Sequence, residues 1–180
     1  MYMRNKLKCG VPLTVIVRQN TTKRLWTRCF RGTSIARAGN FSQWGTAEDL
    51  FADGLVWEAL LAECDDLWQK MDFGTHSLNI THVQLIGWES TAPLANYSSD
   101  ALEPFDLNRR SHGLRVKQSR TDLLAPRTRE LTIVFEFKQE RSRPVVVVHS
   151  IYPGFDIGEL VDDVTEREGR IFFDWSHPGE

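Results

Sequence analysis

The stretch ELTIVFEFKQERSRPVVVVHSIY, residues 130–152, decides the fold. Within 130–139, Leu131, Ile133, Phe135 and Phe137 alternate with Thr132, Val134, Glu136 and Lys138. Successive side chains of a strand point to opposite faces, so this segment reads as a strand with one apolar face. Residues 145–152 are apolar at consecutive positions, the pattern of a strand covered on both faces and therefore central. The short polar link ERSRP joins the two into an antiparallel hairpin, which Pro153-Gly154 ends. Regular alternation puts His149 on the face of Val145, Val147 and Ile151, and Ser150 on that of Val146, Val148 and Tyr152. In that geometry the two cannot form a nucleophile–base pair.

Outward from this hairpin, one helix is strongly marked. Thr46 followed by Asp49 resembles a capping box. Trp57, Leu61, Cys64, Trp68 and Met71 then recur at helical spacing, with Val56, Leu60 and Leu67 widening the stripe. Gly54 is placed to split off a short first turn. Residues 12–19 and 24–30 read as a second hairpin, 77–90 as a strand with a bulge near His82, 156–166 as a short helix and 170–175 as a closing strand. Residues 91–126 contain Pro93, Pro104 and Pro126 and no clean period, and are expected to be irregular or loop-rich. The expectation is a single α+β domain over 1–180. It has a mainly antiparallel β-sheet and one long amphipathic helix, about 46–71, packed on one face.

With 180 residues, 41% hydrophobic and 26% charged, the chain has a globular composition and enough length for a core without staples. A formal net charge of −2 does not favour a nucleic-acid coat, although 107–130 is locally basic. Cys9, Cys29 and Cys64 match no zinc spacing and read as thiols of a reducing cytosol, so a cytoplasmic location is expected. The N-x-S/T triplets at Asn20, Asn40, Asn79 and Asn96 read as chance combined with turn chemistry. No stretch is apolar for long enough to span a bilayer, and no membrane role is expected.

The chemistry-bearing residues are sparse. Glu136-x-Lys138 has a spacing similar to that of PD-(D/E)xK metal-dependent nucleases, with Asp106 as the further acid. The short link to 145–152 leaves no room for the helix such enzymes place after that strand. His76, His82 and His177 lack ligand spacing, so no metal is expected. No phosphate-binding glycine loop is present, and no cofactor is expected. A metal-independent endoribonuclease would need a base, an acid and a cation. His112 and His149, with Arg115 or Lys117 and a base-stacking Tyr152, could supply them. The leading expectation is instead a non-catalytic protein-binding module whose partner is another protein. Its contacts would be Trp44, Trp88, Tyr97, Arg109 and Arg110, drawn from the many aromatics and the basic segment.

Overall fold

The computed structural model of the chain describes residues 1–17, 40–44, 46–89, 91–108, 111–117, 119–120, 122–123, 125–154 and 170–172. In chain order the strands are β1 (Tyr2–Lys6), β2 (Pro12–Val17), β3 (Asn40–Phe41), β4 (Gly74–Thr81), β5 (Gly87–Trp88) and β6 (Thr91–Pro93). They continue with β7 (Leu102–Asn108), β8 (Ser111–Val116), β9 (Arg127–Thr128), β10 (Glu130–Glu140), β11 (Arg143–Pro153) and β12 (Arg170–Phe172). The α-helices among the described residues are α1 (Ala47–Ala52) and α2 (Gly54–Lys70). The architecture is α+β and mostly sheet.

The long hairpin forms as expected: β10 and β11 pair antiparallel from Leu131↔Pro153 to Glu140↔Arg143. The turn between them is only Arg141-Ser142, both at positive φ, 48° and 63°. Two positive-φ residues match the twist of the flanking strands. β11 is the central strand of a five-stranded sheet in the order β1-β2-β11-β10-β4. That sheet is mixed, because β2 runs parallel to β11 while its other ladders are antiparallel. Two further sheets, β6-β12-β8-β7 and β3-β5-β9, complete the described strands.

The hairpin departs from regularity at one point. The register steps from Val134↔Ser150 to Phe135↔Val148, so His149 is an extra residue in β11. This is a β-bulge. It corrects the regular alternation expected for the strand: Val146 and Val148 share the core with Ile151, not with Ser150 and Tyr152. His149 and Ser150 are both half-buried between these core positions.

The capping box at Thr46 is present. Asp49 N–H donates to Thr46 Oγ1 and Thr46 N–H to Asp49 Oδ2, each at 3.1 Å. The single helix expected over 46–71 is two. Asp53 adopts extended backbone (φ −70°, ψ 118°), ends α1 and caps α2. Its Oδ1 accepts from the N–H groups of Leu55 (3.0 Å) and Val56 (3.4 Å). Along α2 the buried line is Val56, Leu60, Cys64 and Leu67. Trp57, Leu61 and Trp68 flank it half-buried, and Met71 is exposed at the left-handed C-cap. These buried helix residues belong to one hydrophobic cluster with Leu13, Val15, Val17, Ile133, Phe135, Phe137, Val146, Val148 and Ile151.

Three other expectations change. The strand expected over 77–90 stops at Thr81, and a loop separates it from β5. Residues 91–126 contain β6, two 3-10 turns and the β7–β8 hairpin, in which Pro104 pairs opposite Leu114. Ala92, Leu102 and Val116 form a second, smaller cluster there. β2 takes β1 as its hairpin partner. Residues 24–30 and the helix expected at 156–166 lie outside the described residues, while β12 covers the start of the expected 170–175 strand.

Candidate functional site

The residues read as ribonuclease candidates lie on two different sheets. His149 is on β11, in the five-stranded sheet, with Nε2 3.7 Å from Glu136 Oε2. His112 is on β8, in the four-stranded sheet, in register with Asp106 of β7. Arg115, also on β8, donates from Nε to Glu103 Oε1 at 2.6 Å. Lys117 Nζ donates to the carbonyl oxygen of Asp100 at 2.6 Å. Tyr152 is buried, 2% exposed, with little ring surface for a stacking base.

Of the residues read as binding contacts, Trp88 and Tyr97 pack against the same smaller cluster, while Trp44 lies in the main core. Trp44 is 6% exposed and belongs to the main core, edge-on to Phe41 and His82 at 5.5 Å centroid separation. That burial removes it from any contact surface. Tyr97 is half-buried against the smaller cluster, and desolvation raises its hydroxyl pKa. Trp88 is half-buried, with the Arg127 guanidinium 4.6 Å from its ring centroid, a cation–π contact. Arg109 and Arg110 lie outside the described residues.

A different surface forms around Trp88. The loop from His82 to Ile86 buries its two ends and exposes the residues between. Val83 is 68% and Leu85 43% exposed. The loop backbone is nevertheless held on several sides. His82 N–H donates to the Arg129 carbonyl (2.8 Å), and Ile86 N–H to that of Thr128 (2.8 Å). Arg129 Nη1 donates to the Val83 carbonyl at 2.7 Å, and Gln84 N–H to His82 Nδ1 at 3.1 Å. The Ile86 carbonyl accepts from the N–H of Ser42 (2.8 Å). Arg127 Nη2 donates to Ser42 Oγ at 3.1 Å.

The buried end of the loop is a clasp. Because His82 Nδ1 accepts a backbone N–H, the ring hydrogen sits on Nε2, which donates to Asp53 Oδ2 at 3.1 Å. Asp53 therefore caps α2 with one oxygen and holds the loop with the other. The result is a loop with exposed Val83 and Leu85 whose backbone is bonded to Arg129 and Thr128, in the same segment as exposed Arg127 and its Trp88 contact. Sequence reasoning missed Val83 and Leu85 because a continuous strand through His82 would have buried one of its faces. The break after Thr81 exposes them instead.

Among the described residues, no three His, Cys, Asp or Glu side chains are grouped as metal ligands, and no helix is long and apolar enough to cross a membrane. No protein-family model, curated protein or solved structure matches the chain.

Proposed function

We propose that the chain is a non-catalytic protein-binding module, acting in the reducing cytosol, that docks a partner protein on the 82–86 loop and its Trp88–Arg127 flank. The observation that carries this reading is the exposure of Val83 and Leu85 on a hydrogen-bonded backbone. Apolar side chains on a loop that is already ordered lose little entropy on docking, so more of their burial is converted into affinity. Trp88 and the neighbouring arginines add the residue types that dominate binding energy at interfaces. In this reading α2 packs on one face of the five-stranded sheet and, through Asp53 and His82, braces the loop from behind. The ion pair of Arg115 with Glu103 and the engagement of Lys117 by the Asp100 carbonyl weigh against the ribonuclease reading, since each cation already has an oxygen partner.

A photo-crosslinking amino acid at position 83 of the full chain, activated in cells, tests the proposal. The expected result is a discrete protein adduct that Leu85→Asp removes. Labelling no stronger than that from a crosslinker at exposed Glu48 would exclude the loop as the docking surface.

A further inference from the structure

Arg127 and Arg129 are exposed on either side of Thr128, which is 5% exposed. Both guanidinium groups are held in place by neutral acceptors. Arg129 Nη1 donates to the Val83 carbonyl at 2.7 Å, inside the loop that exposes Val83 and Leu85. Arg127 Nη2 donates to Ser42 Oγ at 3.1 Å, and its guanidinium lies 4.6 Å from the Trp88 ring centroid. Neither acceptor oxygen carries a charge. Among the described residues Arg127 and Arg129 form no ion pair, whereas Arg115 is paired with Glu103 and Arg120 with Asp122.

The carboxylates that border the loop are committed elsewhere. Glu130 is turned to β4, where its Oε1 accepts from Thr81 Oγ1 at 2.7 Å. Asp53 is engaged by His82 and by the start of α2. Glu89, the only acid in the stretch HVQLIGWE (82–89), is half-buried with its side chain against Gly154, where an added Cβ would lie 3.4 Å from Glu89 Cγ. The positive charge of the two arginines is therefore left uncompensated beside the loop.

A guanidinium can donate from all three of its nitrogens. The Val83 carbonyl engages Nη1 of Arg129, which leaves Nε and Nη2, the side-by-side pair that grips a carboxylate as a fork. Because the group is already anchored, little side-chain freedom is lost when an anion binds it. These features select the occupant. Two exposed aliphatic side chains call for apolar anchors, and the arginines call for carboxylates. A basic segment would meet like charge. A sugar–phosphate chain would satisfy the arginines but leave Val83 and Leu85 without an apolar counterpart. A second copy docking loop to loop would set arginine against arginine.

We propose that the partner segment received by the 82–86 loop is acidic as well as apolar: its apolar side chains seat on Val83 and Leu85, an Asp or Glu in the same short segment is gripped by Arg129, and Arg127 is placed for a second carboxylate. The inference rests on the protein-binding reading and adds the chemistry of the partner. A crosslinked adduct at position 83 would stand whether or not the partner is acidic.

The test selects binders to the full chain from a phage library of random peptides. The best one is measured as a fluorescein-labelled peptide by anisotropy, beside a copy in which every Asp and Glu is replaced by Asn and Gln. The expected result is enrichment of peptides that combine apolar residues with Asp or Glu, and binding of the amide copy at least about tenfold weaker. That comparison needs no variant of the protein. Arg129→Gln, which keeps a donor for the Val83 carbonyl, should weaken the acidic peptide by a similar factor and leave the amide copy unchanged; equal weakening of both would mean that the arginine only shapes the loop, and would overturn the proposal. Leu85→Ser should weaken both peptides. Enriched peptides without Asp or Glu that Leu85→Ser still weakens would overturn the acidic assignment and leave the docking loop standing. Equal affinity of the acidic and amide peptides, binders indifferent to Leu85→Ser, or failure to enrich any peptide would also overturn the proposal, and indifference to Leu85→Ser would count against the loop itself.

Discussion

His82 and Asp53, 29 positions apart in sequence, share a 3.1 Å hydrogen bond that ties the end of β4 to the junction of α1 and α2. The imidazole is 6% exposed, and both ring nitrogens are occupied, one by the Asp53 carboxylate and one by Gln84 N–H. Removing it would leave a partly buried carboxylate oxygen and a backbone N–H without their partner. His82→Ala should therefore cost about 2–4 kcal/mol, well above a surface substitution. Asp53→Ala should lose the α2 cap as well, about 1 kcal/mol more than the pair alone. A double-mutant cycle by urea denaturation should return a coupling of at least about 1 kcal/mol. Additive losses would mean that the two side chains act independently.

The hairpin turn offers a gain. Arg141 and Ser142 both occupy positive φ, a region that costs an L-residue with a full side chain about 1–2 kcal/mol. Asparagine followed by glycine is the preferred pair for such a turn. The double substitution Arg141→Asn, Ser142→Gly should raise stability by about 1 kcal/mol. The check is an upward shift of the urea midpoint at unchanged slope, and a midpoint at or below the parent's would contradict the turn geometry.

The same hairpin shows how much of the fold was legible. Leu131, Ile133, Phe135 and Phe137 alternate cleanly, and all four are buried on one side of β10. Their partner strand hid its phase, because four consecutive valines satisfy either face. Only the spacing of Val146, Val148 and Ile151 records the bulge, and it becomes legible once β10 fixes the register. The helix break was half legible: Gly54 pointed to it, but the residue that makes it is Asp53, through its role as a cap. Trp44 reads as a binding contact, yet packing against His82 and Phe41 buries it. β7 and β8 are short and interrupted by Pro104, so no period marked them. The candidate site was the least legible part. Its exposed aliphatics and its clasp depend on where β4 ends, and a pairing partner decides that.

Cys64 and Cys9 should behave oppositely toward alkylation. Cys9 is exposed, whereas Cys64 is fully buried on α2. Burial first, then the neighbouring carboxylates of Glu63 and Asp65, push the Cys64 thiol up from 9.0 to about 12. The reactive species is the thiolate. In native protein at neutral pH, iodoacetamide should label Cys9 and spare Cys64, and denaturation should abolish the difference, as read by peptide mass spectrometry. The raised value also has a linkage consequence. Between pH 9 and about 12 the unfolded chain releases the Cys64 proton and the folded chain retains it. The unfolded state then binds fewer protons, so this thiol's contribution to stability is intact below pH 9 and declines as pH rises toward 12. Cys64→Ala should flatten that alkaline decline. A stability profile of identical slope in both proteins would show that the thiol does not contribute to it.

Two single-residue deletions in β11 separate the bulge from the chemistry of His149. Removing His149 joins Val148 directly to Ser150. Val148 stays opposite Phe135, Ser150 opposite Val134 and Ile151 opposite Ile133, now in one uninterrupted register. What is lost includes the contact with Glu136, at 3.7 Å between two partly exposed groups, worth about 1 kcal/mol or less. Removing Val147 instead also erases the bulge, but Val148 then moves opposite Glu136 and His149 moves opposite Phe135, into a core position that Val148 fills with 0% exposure. An imidazole there would be buried without a partner, at a cost of about 3 kcal/mol or more. The backbone lengths of the two variants are identical, so the difference between them isolates which side chain enters the core. Deletion of His149 should leave the urea midpoint close to the parent's, and deletion of Val147 should lower it sharply. Equal losses would place the register step somewhere other than at His149 and return Ile151 to the face that regular alternation assigns it.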